Sequence, residues 1–119
     1  MSKKILIVDD EEHIRDILSE FLSEQGFDVM DATDGEMAMG LFETNTFDLV
    51  ITDIRMPKVN GLELLSMVKS RDNHNPVVLM TGYDLSNNEI SNCPYQADGY
   101  VLKPFNLKQL LAYVHDLVK

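Results

Sequence analysis

At 119 residues, with 45% apolar and 25% charged side chains, the chain is sized for one domain that can bury its own core. Its formal net charge of −10 argues against direct contact with nucleic acid or an anionic membrane and favours cations and basic protein surfaces. No apolar run approaches the roughly 20 residues that span a bilayer, and the single cysteine, Cys93, excludes an internal disulfide, so a cytoplasmic location is expected.

Met1-Ser2-Lys3-Lys4 leads straight into a strand-like run rather than a signal peptide. Lys4-Ile5-Leu6-Ile7-Val8 has the continuous apolar character of a strand buried on both faces, and it ends in Asp9-Asp10-Glu11-Glu12. Ile14, Ile17, Leu18, Phe21 and Leu22 then recur with helical spacing, and Gln25-Gly26 can close that helix. Phe27, Val29 and Ala32 alternate with Asp28 and Asp31, a pattern suited to an edge strand. Asp34-Gly35 offers an N-cap to a second helix with Ala38, Leu41 and Phe42 on one stripe, weakened by about 1 kcal/mol by the internal Gly40.

Leu49-Val50-Ile51-Thr52 is a third strand and delivers Asp53. Pro57 biases Met56 away from helix, so the chain turns outward there before helix resumes near Gly61. Asn60 and Glu63 are spaced as a capping box for a third helix carrying Leu62, Leu65 and Val68. After the polar turn Asn73-His74-Asn75, Pro76 to Met80 reads as the fourth strand, ending at Thr81-Gly82. Residues 84–92 offer only Leu85 and Ile90 as apolar anchors, so a helix there is expected to be short. Tyr100-Val101-Leu102 is the fifth strand, followed by Lys103-Pro104-Phe105. Asn106 with Gln109 caps a last helix bearing Leu107, Leu110, Leu111, Val114, Leu117 and Val118.

Five alternating strand–helix units specify an α/β fold: a five-stranded parallel sheet with five helices distributed over both faces. Continuous apolar strands one, three, four and five, with the alternating second strand at an edge, favour the order 2-1-3-4-5.

Such a sheet presents its site beyond the carboxyl ends of its strands. There the chain delivers Asp9 and Asp10 from strand one, Asp53 from strand three, Thr81 from strand four and Lys103 from strand five. Three converging carboxylates need a compensating cation. With no His or Cys among them they suit a hard ion such as Mg²⁺, which keeps several of its waters. A carboxylate beside Mg²⁺, a lysine and a hydroxyl is suited to phosphoryl transfer, with the carboxylate as nucleophile and the cations neutralising phosphoryl charge. Thr81 can donate to a bound phosphoryl group, and the Gly82 N–H can approach it unobstructed.

Asp9-Asp10, Asp53 with Met56-Pro57 and Gly61, Thr81-Gly82 and Lys103-Pro104-Phe105, in this order over essentially the whole chain, resemble the receiver domain of bacterial two-component response regulators. The resemblance implies a single receiver domain over residues 1–119 that acts as a signalling switch and, as an enzyme, assists only its own phosphorylation and dephosphorylation. It implies that Asp53 accepts a phosphoryl group from a sensor histidine kinase or histidine phosphotransfer protein. Asp9, Asp10, Asp53 and the Arg55 carbonyl would hold Mg²⁺, with Mn²⁺ as a substitute, and Lys103 would contact the phosphoryl oxygens, its bond to Pro104 being cis. Thr81 and Tyr100 would reorient together, and Arg55 and Tyr83 would govern water access. Output would pass to a downstream protein, an attached output domain or a phosphorylation-dependent dimer. The runs Thr52 to Pro57 and Met80 to Tyr83 resemble receivers attached to ATPase-type transcription activators, so a stand-alone receiver and a piece of a longer regulator are both expected outcomes.

Plainer roles exist for each residue. Asp9, Asp10 and Glu11 suit a helix cap, Lys103 a solvated lysine, and Tyr100 a half-buried strand aromatic. His13, His74 and His115 form no metal pattern and are expected on the surface, Cys93 has no basic neighbour to activate it, and Met30, Met37, Met39, Met67 and Met80 read as core filler. An aspartyl phosphatase would need a second Asp where Arg55 stands, and a flavin module would need a phosphate-binding loop where Asp9 to Glu12 stand. An interaction module without phosphorylation is disfavoured by the intact Asp53, Asp10 and Lys103. Pro94 and Gln96 depart from the receiver pattern, and the 85–95 segment is expected to be short and mobile until phosphorylation or a partner orders it.

Overall fold

Hydrophobic periodicity becomes a sheet with two cores, one on each face. The computed structural model describes residues 2–56, 59–82, 95–103 and 106–118. In chain order these form β1 (Lys4–Val8), α1 (Glu12–Glu24), β2 (Asp28–Ala32), α2 (Gly35–Thr44), β3 (Leu49–Asp53), α3 (Gly61–Arg71), β4 (Val77–Thr81), β5 (Gly99–Leu102) and α4 (Leu107–Leu117). All pairings are parallel and the strand order is β2-β1-β3-β4-β5. Four helices lie among the described residues; the further one expected over 84–92 falls outside them.

Strand alternation sorts the apolar side chains. Ile5, Ile7, Leu49, Ile51, Val78, Met80 and Val101 pack with Leu18 and Leu22 of α1 and Leu110 and Val114 of α4. Leu6, Val8, Val50, Val77 and Leu79 pack on the opposite face with Ala38 of α2 and Leu64, Leu65 and Val68 of α3. Each such fully buried aliphatic side chain contributes about 1.5–3 kcal/mol, which is why the central strands must read as unbroken apolar runs.

The two edges qualify the reading of the strands. On β2, Val29 faces one core and Met30 the other, so this strand is partly covered on both faces rather than split into a wet and a dry face. On β5 the run is not buried on both sides as expected: Leu102 is 56% exposed, because β5 forms the other edge of the sheet. Met80 is core, but Met37 is 46% exposed on α2 and is not core filler. The three histidines are exposed, as expected.

Local signals act at the helix ends. The Asp34 carboxylate accepts the Met37 N–H at 2.8 Å. Asn60 and Glu63 form a reciprocal capping box. Asn106 accepts the N–H groups of Lys108 and Gln109, so Gln109 takes part through its backbone. Gly26, at φ +96°, supplies the left-handed residue that ends α1.

Polar ties close the amino ends of the strands. Lys69, 5% exposed, donates to Asp98 Oδ2 at 2.7 Å, and the same oxygen accepts the Val77 N–H at 2.9 Å. This joins the last turn of α3 to the starts of β4 and β5. At β1, the Lys4 N–H donates to Asp48 Oδ2 at 2.8 Å.

Candidate functional site

The register decides which side chains meet at the carboxyl end. Val8 pairs with Thr52, so the next residues, Asp9 and Asp53, emerge side by side. Thr81 pairs with Leu102, and the Lys103 N–H donates to the Thr81 carbonyl at 2.7 Å. Asp9, Asp53 and Lys103 each stand two residues beyond a side chain of the α1/α4 core, namely Ile7, Ile51 and Val101. Alternation therefore turns all three to the same side.

Their side chains converge. Lys103 Nζ lies 2.8 Å from Asp9 Oδ2, 3.4 Å from Asp53 Oδ2 and 3.9 Å from Glu11 Oε1. One carboxylate oxygen each of Asp9, Asp10 and Asp53 falls within 4.8 Å of the others. Asp10, Glu11, Asp53, Arg55, Gly82 and Lys103 line an open polar cleft of about 430 Å³. Asp9 is fully buried behind it, and Asp53, 6% exposed, sits at its floor.

Charge sets the chemistry. Burial pushes the Asp53 pKa above the ordinary carboxylate value; Lys103 opposes this and the charge of Asp9 reinforces it. Burial alone would lower the Lys103 pKa, but the hydrogen bond to Asp9 and the charges of Asp53 and Asp9 outweigh it, and the net shift is upward. The distances explain the pair: the shorter contact of Lys103 is to Asp9, which leaves Asp53 the weaker share of the ammonium. One lysine among three carboxylates leaves a negative, all-oxygen donor set. That set fits a hard divalent cation and lacks the sulfur or imidazole of a soft-metal site.

The backbone around Asp53 is held from several sides. The Ile54 N–H donates to the Met80 carbonyl at 3.0 Å, and the Gly61 N–H to the Ile54 carbonyl at 2.9 Å. The buried Thr52 hydroxyl donates to the Asp53 carbonyl at 3.0 Å. A Cβ on residue 61 would run into that same carbonyl and come within 2.8 Å of Ile54 Cα, so α3 can start here only with glycine.

The structure thus brings Asp9, Asp10, Asp53 and Lys103 together, with Arg55 and Gly82 on the cleft wall. Thr81 is buried at the end of β4. Tyr100 is half-buried and packs on the α2/α3 core. Tyr100 pairs with Leu79 and Leu102 with Thr81, so Thr81 and Tyr100 share a sheet face two residues apart in register. Tyr83, Cys93, Pro94, Pro104 and Phe105, the Lys103–Pro104 bond and most of the 85–95 segment lie outside the described residues.

The residue reading missed Arg15, which donates from Nη1 to the Asp9 carbonyl at 2.7 Å, and Thr52. It also missed that the Glu11 N–H donates to Asp9 Oδ1 at 2.9 Å. Arg15 had a legible signal: it precedes the buried Leu18 and Leu22 by three and seven residues, so a cation stands on the apolar stripe of α1.

A parallel sheet in this order, with an aspartate cluster and a lysine at its carboxyl edge, is the arrangement that the sequence resemblance implies. A family model for the response regulator receiver domain matches residues 5–115, and the chain belongs to that family. It is 40% identical to the regulatory protein VanRB of Enterococcus faecalis over 119 residues, which is 100% of this chain and 54% of VanRB. It is 39% identical to the regulatory protein AtoC of Escherichia coli over 107 residues, 90% of this chain and 23% of AtoC. Among solved structures, it resembles the response regulator TrrA of Thermotoga maritima in complex with Mg²⁺–BeF, with a TM-score of 0.86 and 38% identity, covering 97% of this chain and 98% of that one. No helix among the described residues is long and apolar enough to cross a membrane.

Proposed function

We propose that this chain is a single receiver domain, residues 1–119, whose Asp53 accepts a phosphoryl group from the phosphohistidine of a sensor kinase or phosphotransfer protein. The observation that carries this reading is the meeting of Asp9, Asp10 and Asp53 around Lys103 at the mouth of an open cleft. A carboxylate oxygen of Asp53 forms the new bond to phosphorus, the phosphorus–nitrogen bond breaks, and the electron pair leaves with the imidazole. Asp9, Asp10, Asp53 and the Arg55 carbonyl would hold Mg²⁺, or Mn²⁺ in its place, which would supply compensating charge for the phosphoryl oxygens.

Lys103 carries a compact charge that can turn from the carboxylates to the phosphoryl group without a planar geometry to satisfy. Thr81 and the Gly82 N–H donate to that group, and a shift of Thr81 is transmitted along the shared sheet face to Tyr100. Arg55 and Tyr83 flank the cleft and govern access of water. The phosphorylated surface then engages a protein target, an attached output domain or a second copy. VanRB and AtoC carry the matched segment within a longer chain, which is the setting the attached-domain route needs. The excess of acidic residues disfavours nucleic acid and membrane as direct partners, in keeping with a cytoplasmic location.

With Mg²⁺ and a small acyl-phosphate donor, the intact mass rises by one phosphoryl group, and Asp53→Asn abolishes the rise. A rise that persists in Asp53→Asn assigns the acceptor elsewhere and refutes the reading.

A further inference from the structure

Asp9 is fixed at every polar atom. Its N–H donates to the Ala32 carbonyl at 3.2 Å, its Oδ1 accepts the Glu11 N–H at 2.9 Å, and its Oδ2 accepts Lys103 Nζ at 2.8 Å. The remaining atom, its carbonyl oxygen, accepts Arg15 Nη1 at 2.7 Å. Arg15 Nε in turn lies 3.7 Å from Asp31 Oδ2 on β2, and the arginine side chain is 13% exposed.

Three elements are therefore tied at one guanidinium: α1, which carries it, the end of β1, and β2. The carbonyl it holds belongs to the peptide linking Asp9 to Asp10. The plane of that peptide fixes where Asp10 leaves the strand, and Asp10 is the exposed carboxylate that reaches the cleft. The planar fork of arginine can address the Asp9 carbonyl and the Asp31 carboxylate together, whereas an ammonium can satisfy both only by moving its single nitrogen.

We propose that Arg15 is a positioning residue for the divalent-cation site: by holding the Asp9–Asp10 peptide through the Asp9 carbonyl, it aims Asp10 into the cleft. The inference rests on the proposed cation site, and groups in this outer position commonly set metal affinity by about 10–100-fold.

Charge and position predict opposite signs, which makes the idea testable. Arg15→Met removes a cation held against the Asp9 backbone carbonyl, next to the acidic cluster in the chain; if charge alone mattered, Mg²⁺ would bind more tightly. If Arg15 aims Asp10, binding weakens. The experiment is calorimetric titration of the unphosphorylated chain with Mg²⁺, run on wild type, Asp10→Ala, Arg15→Met and Arg15→Lys, with urea melts to establish that each is folded.

The expected result is half-saturation raised about tenfold in Arg15→Met, with Arg15→Lys between it and wild type. Tighter or unchanged binding in Arg15→Met overturns the proposal. So does wild-type binding in Arg15→Lys, which also decides the matter should Arg15→Met fail to fold. If wild type itself binds no Mg²⁺, or Asp10→Ala binds as wild type does, the cation site falls, and the aiming role falls with it. Binding that is lost in Asp10→Ala but unaltered in both Arg15 variants overturns the aiming role alone.

Discussion

Replacing Asp53 by Asn should stabilise the metal-free protein at neutral pH, although it removes a partner of Lys103. Asp53 is 6% exposed and its pKa lies above 3.8, its ordinary value, because burial and the charge of Asp9 outweigh Lys103. Below that ordinary value both folded and unfolded chains hold the proton, and Asp53 makes no difference to stability. As pH rises through the window between the unfolded and folded values, the folded chain still holds a proton that the unfolded chain has lost, so stability falls. Above the folded value the penalty is constant.

Substitutions that act through a buried charge move stability by about 0.5–3 kcal/mol, and the gain expected in Asp53→Asn at pH 7.5 is on the order of 1 kcal/mol, or about 4 °C in Tm. Lys103 keeps its shorter contact to Asp9 in the variant, which limits the loss on that side. Urea melts in EDTA at pH 7.5 and again at pH 3.5 measure it: the variant leads at the higher pH and the gap closes at the lower. Mg²⁺ at ten times its dissociation constant returns about 1.4 kcal/mol to the wild type and erases or reverses the lead. A variant less stable than wild type in EDTA at pH 7.5 would refute the charge argument.

Two further substitutions probe the frame that carries the site. Lys69→Met leaves Asp98 without its buried cation while the Val77 N–H remains; a loss of about 2–3 kcal/mol is expected in urea melts, below the full cost of a broken buried pair because Asp98 is partly exposed. A loss under about 0.5 kcal/mol would show that the pair is dispensable. Gly61→Ala forces a methyl against the Asp53 carbonyl, so stability should fall by about 2 kcal/mol and Mg²⁺ binding should weaken with it. Wild-type Mg²⁺ binding in a folded Gly61→Ala protein would separate the start of α3 from the site.

The central architecture was legible because β1, β3 and β4 are buried on both faces, and only an unbroken apolar run satisfies two cores at once. The edges were harder. Leu102 continues an apolar run yet points outward, and Met30 sits among polar residues yet faces a core; neither position is decided by neighbours in sequence. Asp9, Asp53 and Lys103 were legible for a simple reason: each follows a buried strand by a fixed count, so side-chain parity carries them to one place. Thr52 was not, and Arg15 showed only its place on the apolar stripe of α1 and not what it holds, because both donate to backbone carbonyls. A carbonyl belongs to every residue, and no residue type advertises which one is to be held.

The Lys69–Asp98–Val77 tie lies at the opposite end of β4 and β5 from Thr81 and Lys103. Each strand is thereby anchored like a lever at its foot, with its working group at its tip. A five-residue strand such as β4 is about 17 Å long, so a tilt of about 5° at the foot carries the tip about 1.5 Å. That is enough to make or break a hydrogen bond at the mouth of the cleft while barely disturbing the packing at the foot. The buried ammonium, far from the proposed phosphoryl chemistry, is in this sense the fulcrum against which the mouth can move.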